Sequence, residues 1–573
     1  MKYIKIYKLI FILSLLVAIT SCNGFLDVTD LDDLDITTTF QTESDMKLAL
    51  NHLYLSLPEA DLEDNLWGAD PDQAFFVPYF WTDDAVHRNI NGAGYNGSDY
   101  NWSSTTRALR TFYRYADIAD INLFLEYLPD ATFDDEDLRE QYDGEARFLR
   151  AWIYESMCFA YGGVPLVTTT IDADAQPARD SREDVFDFVI SELDEIADEL
   201  PETYDSENEG RITRGAVYAL KARAYLNAIG WHDNVDSMYI YAAEACKKII
   251  DSNVYSLSDG IEGYENQFNG VEDLESKETI LSRIYIEGGT SGETASRITR
   301  QINLKGAWTG TNSSGVGQRR PGYTSDFIEE VQTINGIFPK DDPDYDPANP
   351  WINRDPRLAV CAILPGDTVP AASGYDDDYI FQPHPDIGSS TDDIKGVNCP
   401  TGYAFRKYLD FDLADQYYGT IDLKLIRYSE VLLMYAEAMA GQGDDATALT
   451  YLNKVRNRVG MPSYTLNTLP DITRGTTGND MIDAILLERR IEFAGEGPQR
   501  WWDIFRYKIA DQVITSVYGI PYSTTEPGDL TGPKYSAGLS TGFERVWDDH
   551  YYLLPIWSTF MDDNENLEQN PGY

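Results

Sequence analysis

The chain has 573 residues and sets 45 Lys and Arg against 96 Asp and Glu, a net charge of −51 at neutral pH. Charge of that sign repels phosphate backbones and anionic lipid, which argues against nucleic acid as a partner and against a basic membrane-binding patch. At 43% hydrophobic and 13% aromatic residues, this is a folding chain and not a solvated acidic tail.

The N-terminus carries a targeting pattern. Lys2, Lys5 and Lys8 precede an apolar run from Leu9 to Ile19, which is shorter than the roughly 20 residues that span a bilayer. The run ends in Ile19-Thr20-Ser21-Cys22, with a small residue just before a cysteine. Residues 1–21 therefore read as a cleaved lipoprotein signal and Cys22 as the lipidated anchor; an ordinary secretory signal with an incidental cysteine is the bland alternative. Cleavage removes three lysines and no acid, leaving 42 basic against 96 acidic residues, or −54. Nothing downstream is long and apolar enough to cross a membrane, so the chain is anchored to it and does not span it.

Helical periodicity then predicts elements at about 42–57, 103–128 and 134–161, at 181–200, 213–230 and 236–252, and at 422–441, 444–459, 480–495 and 500–510. Short loops such as Gly441-Gln442-Gly443 make several of these antiparallel pairs. The small residues of Gly215-Ala216-Val217-Tyr218-Ala219 suit close helix contact, as in the first helix of a tetratricopeptide unit, although no strict 34-residue period is visible. The fold class is mainly α, a degenerate helical-repeat scaffold carrying insertions. Those insertions, 58–101 and 253–420, are rich in Gly, Asn, Asp, Pro and aromatics, with short strands expected at Glu278–Ile286 and Leu358–Leu364. The second is too long for a structureless loop and should form an irregular lobe on the helices.

Function belongs on such loops when a rigid frame holds them. Residues 75–102 contain Phe75, Phe76, Tyr79, Phe80, Trp81, Tyr95, Tyr100 and Trp102, interleaved with Asp83, Asp84, His87, Asn96 and Asn101. A sugar ring offers a C–H face that stacks on an aromatic ring and a hydroxyl rim that needs planar donors and acceptors. On that chemistry the candidate glycan contacts are Trp81, Tyr95, Asn96, Asn101 and Trp102, while Phe75, Phe76 and Phe80 read as core. A second candidate wall is Trp308 with Arg320 and Tyr323, and Trp351 is a third.

Other chemistries find little support. Gly538-Leu539-Ser540-Thr541-Gly542 matches a nucleophile elbow, but no strand precedes it, no helix follows it, and His550 lies too close for an intervening triad acid. With 96 acids, a glycosidase-like carboxylate pair can be found anywhere. Asp342-Pro343-Asp344-Tyr345-Asp346 suggests a calcium loop, yet Pro347 stands where glycine is required and Asn353 where a bidentate Glu is. An adventitious surface cation is the most it would hold, and no cofactor is expected. The five histidines are scattered. Cys158 and Cys246 read as buried small hydrophobes, and Cys361 and Cys399 are far enough from any zinc or redox spacing that only a disulfide between them is considered.

A set of local motifs runs through the chain in order. Cys22-Asn23-Gly24-Phe25-Leu26-Asp27 is followed by Ala146-Arg147-Phe148-Leu149-Arg150-Ala151-Trp152 and Tyr161-Gly162-Gly163-Val164-Pro165. Then come Arg427-Tyr428-Ser429-Glu430, Leu452-Asn453-Lys454-Val455-Arg456, Glu488-Arg489-Arg490-Ile491-Glu492-Phe493, Glu496-Gly497 and Arg500-Trp501-Trp502-Asp503. Leu554-Pro555-Ile556 and Asn570-Pro571-Gly572-Tyr573 close the chain. Together these resemble the SusD/RagB family of surface nutrient-binding lipoproteins. The resemblance implies about four tetratricopeptide-like helix pairs with a ligand-binding lobe, divided as residues 22–252 and 253–573, the latter comprising the lobe 253–420, the helices 422–510 and a tail. It also implies a non-catalytic, outward-facing outer-membrane protein that captures oligosaccharides and hands them to a SusC-like TonB-dependent transporter. Peptide capture for import, or a secreted glycan hydrolase, are the competing readings. The motif charges Arg489, Arg490, Glu492, Arg500 and Asp503 sit beside apolar helix faces, where pairing is the usual solution to burial, and read as scaffold.

Overall fold

Side-chain caps mark where the helices begin. In the computed structural model, which describes residues 40–60, 75–87, 100–172, 174–271, 276–286, 296, 298–302, 304, 321–370, 378–384, 400–411, 419–521, 534–536 and 545–573, Thr42 and Asp45 form a reciprocal capping box at the start of α1 (Glu43–Leu53). Asp135 caps α3 (Glu136–Tyr161), which follows α2 (Tyr115–Tyr127). Ser181, Thr213 and Asn234 cap α4 (Arg182–Ile196), α5 (Arg214–Ala228) and α6 (Val235–Ser252). Thr324 caps the short α7 (Ser325–Glu330). Asp444 and Asn479 cap α9 (Asp445–Arg458) and α10 (Asp480–Glu492), while α8 (Tyr428–Gly441) and α11 (Gln499–Arg506) start without a side-chain cap. Each such cap stabilises its helix by about 1 kcal/mol.

The helices pack as pairs: α3 on α4, α5 on α6, α8 on α9, and α10 beside both α8 and α11. Contact between α6 and α8 joins the N-terminal pairs to the C-terminal ones across the whole intervening lobe. The fold class is therefore the mainly helical, repeat-like scaffold that the periodicity predicts. Two expected helices are shorter than their patterns. Residues 103–114 do not extend α2: Ser103 and Thr106 bond through their side chains and backbone to make a turn, the competition that keeps such residues out of helices. Residues 423–427 form strand β6 (Leu423–Arg427), antiparallel to β2 (Thr279–Arg283), because a distant strand supplies hydrogen bonds that local pattern cannot reveal. The expected strand at Leu358–Leu364 is a helical turn, Arg357–Cys361, that gives way to β4 (Ala362–Ile363). One four-stranded sheet joins the first insertion to the lobe, ordered β1 (Ala85–His87), β3 (Pro321–Tyr323), β5 (Ala404–Phe405), β4.

Charge is buried on a large scale between lobe and helices. Arg357, Lys407, Arg427, Arg456 and Arg458 interlock with Glu278, Asp355, Glu488, Glu492 and Glu496, all with side chains 3% exposed or less. Five cations meet five anions, so the cluster is neutral as a unit, which is what makes its burial tolerable. Arg489 and Arg506 share Asp503, and Arg506 also binds Glu437. The motif charges are scaffold, as their position beside apolar faces suggests. Cys158, Cys246 and Cys361 are free buried thiols; Cys399, the partner considered for Cys361, lies outside the described residues.

Candidate functional site

Residues 75–87 form a buried ledge whose end carries the chain toward the candidate loops. Pro78 opens a tight turn, Val77–Trp81, in which every residue is buried. Phe75 lies against Gly497, whose backbone has φ +150 and where a Cβ would come within 2.3 Å of the ring; this close approach accounts for the glycine after Glu496. Tyr79, Phe80 and Tyr323 surround Phe405 at centroid distances of 6.0, 6.3 and 4.2 Å. Rings packed in this way add directional contacts to their area burial.

Two arginines from the motif helices lock the ledge in place. Arg500 grips Asp83 through Nε and Nη2 at 2.9 and 3.0 Å. Arg490 reaches Asp83 at 3.1 Å and also binds Asp84 and Glu330. Burial alone would raise the Asp83 carboxyl, but the two guanidinium groups outweigh it and hold the group well below the usual carboxylate range. For Asp84 burial dominates, with the neighbouring Asp83 charge adding to it, and its carboxyl is pushed up to about 6 against the pull of Arg490. Arg545, from the C-terminal segment, donates to the carbonyls of Phe80 and Thr82. Asp83 and Asp84, which the sequence pattern interleaves with the sugar-type aromatics, are thus structural ion partners. His87 is likewise buried, under Phe80.

The sheet register then brings two sequence-distant segments to one place. In the antiparallel β1–β3 ladder Ala85 faces Tyr323, Val86 faces Gly322 and His87 faces Pro321. Residue 88 follows His87 and residue 320 precedes Pro321, so the segment with Tyr95 and Asn96 starts where the segment with Trp308 and Arg320 ends. Tyr95, Asn96, Trp308 and Arg320 themselves, like Cys22 and the Ser540 motif, lie outside the described residues.

The remaining candidates divide by burial. Trp81 and Tyr323 are fully buried, so neither offers a ring face to a ligand; a stacking role for them does not fit this placement. Trp102 is 5% exposed, stacked on Tyr100 at 4.7 Å and meeting Trp81 and Tyr551 edge-on at 5.2 Å each. It bridges the ledge to the C-terminal segment and belongs to the core. Tyr100 holds a left-handed backbone, φ 52, which is uncommon for a bulky side chain and accompanies the stacking of rings two residues apart. Asn101 between them is exposed. Trp351 is half-buried and edge-on to Tyr403. Sequence reasoning did not single out Trp547 and Tyr551, half-buried rings that pack around Tyr100 and Trp102. The signal was the aromatic run Trp547 to Tyr552, which only the fold sets beside residues 100–102.

Comparison with known proteins gives a consistent result. A model described as the SusD family matches residues 277–573, and one described as starch-binding, associating with outer membrane, matches residues 24–226. SusD-like protein P38 of Formosa agariphila is 25% identical over all of both chains. Starch-binding protein SusD of Bacteroides thetaiotaomicron is 24% identical over 82% of this chain and 80% of its own. Among solved structures, a SusD-like protein of Bacteroides fragilis superposes with a TM-score of 0.75 at 23% identity, covering 93% of this chain and 98% of that one. A SusD-like carbohydrate-binding protein of the same species gives 0.75 at 22% identity over 93% and 100%.

Proposed function

This chain belongs to the SusD family, and from that premise we propose that it is a non-catalytic, lipid-anchored protein of the outer membrane that captures oligosaccharides on its outward face. It passes them to a SusC-like TonB-dependent transporter over which it sits as a lid. The observation that carries the glycan reading is the ion-locked ledge of residues 75–87, whose strand β1 ends at His87 paired with Pro321, the residues from which the aromatic- and amide-bearing sequences 88–101 and 308–320 continue. Stacking rings and planar polar groups from Tyr95, Asn96, Asn101, Trp308 and Arg320 supply what a sugar ring needs. A rigid base lowers the ordering cost of binding. The starch-binding name of the Bacteroides thetaiotaomicron relative and the carbohydrate-binding title of the Bacteroides fragilis structure support the same reading.

A glycan array probed with residues 23–573, followed by affinity gels on the sugars that score, tests it. Retardation without release of reducing ends is the expected result. Catalytic turnover, or binding of peptides with no glycan bound, refutes it.

A further inference from the structure

At the Tyr323 end of β3, opposite the end where residue 320 joins, the chain enters α7, and α7 forms one side of a cleft of about 440 Å³. That volume lies within the range of small-molecule sites. The other sides come from residues 338–345 and from 471–474, in the connection between α9 and α10. Two of the lining carboxylates are already matched: Asp326 pairs with Arg474, and Glu330 with Arg490. The rest of the lining includes an apolar surface of Phe338, Pro339 and Ile472, the half-buried ring of Tyr345, the carboxylates of Glu329 and Asp471, and Lys340, which also pairs with Asp341.

We propose that this cleft is a second carbohydrate subsite, which takes one neutral pyranose unit. The proposal rests on the glycan-binding reading above but concerns residues outside the loops on which that reading stands. A neutral pyranose has an apolar face for the Tyr345 ring and Ile472, and hydroxyls that both donate to Asp471 and Glu329 and accept from Lys340. A carboxylated sugar would meet Asp471 and Glu329 in a chain of charge −51. An amine would find those carboxylates but offers no flat apolar face to the Tyr345 ring, so a neutral ring fits the lining best.

Saturation-transfer NMR with the methyl glycosides of glucose, galactose and mannose, run on the mature chain, tests the subsite. At least one glycoside should bind. Tyr345→Ala and Asp471→Asn should each weaken it about tenfold, and Ile472→Trp should abolish it by filling the cleft. Thermal melts establish that the variants are folded. Binding unchanged in all three cleft variants overturns the subsite, as does a preference for glucuronate or lysine methyl ester over the neutral glycosides. If oligosaccharides bind the chain equally well in wild type and in all three cleft variants, capture by the loops stands and the cleft proposal fails. If no glycoside or oligosaccharide binds the chain, both fail.

Discussion

Trp102→Ala separates a packing residue from a sugar platform. Trp102 is 5% exposed, with Tyr100 stacked on it at an interplanar angle of 21° and the edges of Trp81 and Tyr551 each 5.2 Å away. Truncation to alanine removes a large buried side chain and leaves a cavity between three rings that are themselves held by other contacts, Trp81 by Trp501 and Tyr551 by Trp547. Collapse into such a space is limited, so the cost should fall in the range of about 3–5 kcal/mol seen for buried aromatic truncations. Trp102→Phe, which keeps a ring against Tyr100, should lose less. Urea unfolding followed by circular dichroism reads the stability, and glycan titration of the same proteins under native conditions reads the binding. A folded variant should retain affinity. An unchanged unfolding midpoint together with lost glycan affinity would refute the packing argument and restore Trp102 to the site.

Glu492→Gln keeps the shape of the central acid but leaves Arg357, Arg427 and Arg458 short of a counter-charge, so we expect about 3–5 kcal/mol of destabilisation in the same unfolding assay. Burial on its own would raise this carboxyl; Arg458, Arg427 and Arg357 instead hold it well below 4.5. A depressed group contributes fully above its unfolded value and loses that contribution as pH falls through its folded one, so the gap between wild type and Glu492→Gln should hold from pH 7 to about pH 5 and narrow below that. A constant gap would mean the loss is one of packing. Gly441→Ala places a Cβ 2.5 Å from the Tyr239 ring at the α6–α8 contact and should cost about 1–3 kcal/mol in a thermal melt; a neutral result would show that Tyr239 moves aside freely. Cys22→Ala should fold and bind glycan but leave the membrane fraction on cell fractionation, and retention at wild-type level would point to the transporter as the anchor.

Much of the scaffold was legible from local pattern, because helices are local: the apolar stripes of 136–161, 214–228, 235–252 and 480–492 and their Asp, Thr and Asn caps lie within a few residues of one another. The helices were overextended where a distant partner intervened, as when β2 claims residues 423–427 across more than a hundred positions. Pairing of the motif charges was readable in kind, since charge beside an apolar face must be matched when buried. Their partners were not, because Arg490 and Arg500 find Asp83 and Asp84 some four hundred residues away. The same distance misled the reading of the aromatic segment. In composition Trp81, Trp102 and Tyr323 look like Tyr95 and Trp308, and a ring beside an amide carries no mark of whether its face will meet another ring or a ligand. Burial decides that, and burial is a property of the assembled sheet and helices. By itself the sequence determined the helical frame and the need to pair the motif charges. Only the tertiary structure decided which of the described aromatics are core and that residues 85–87 pair with 321–323, because both are set by contacts between residues far apart in the chain.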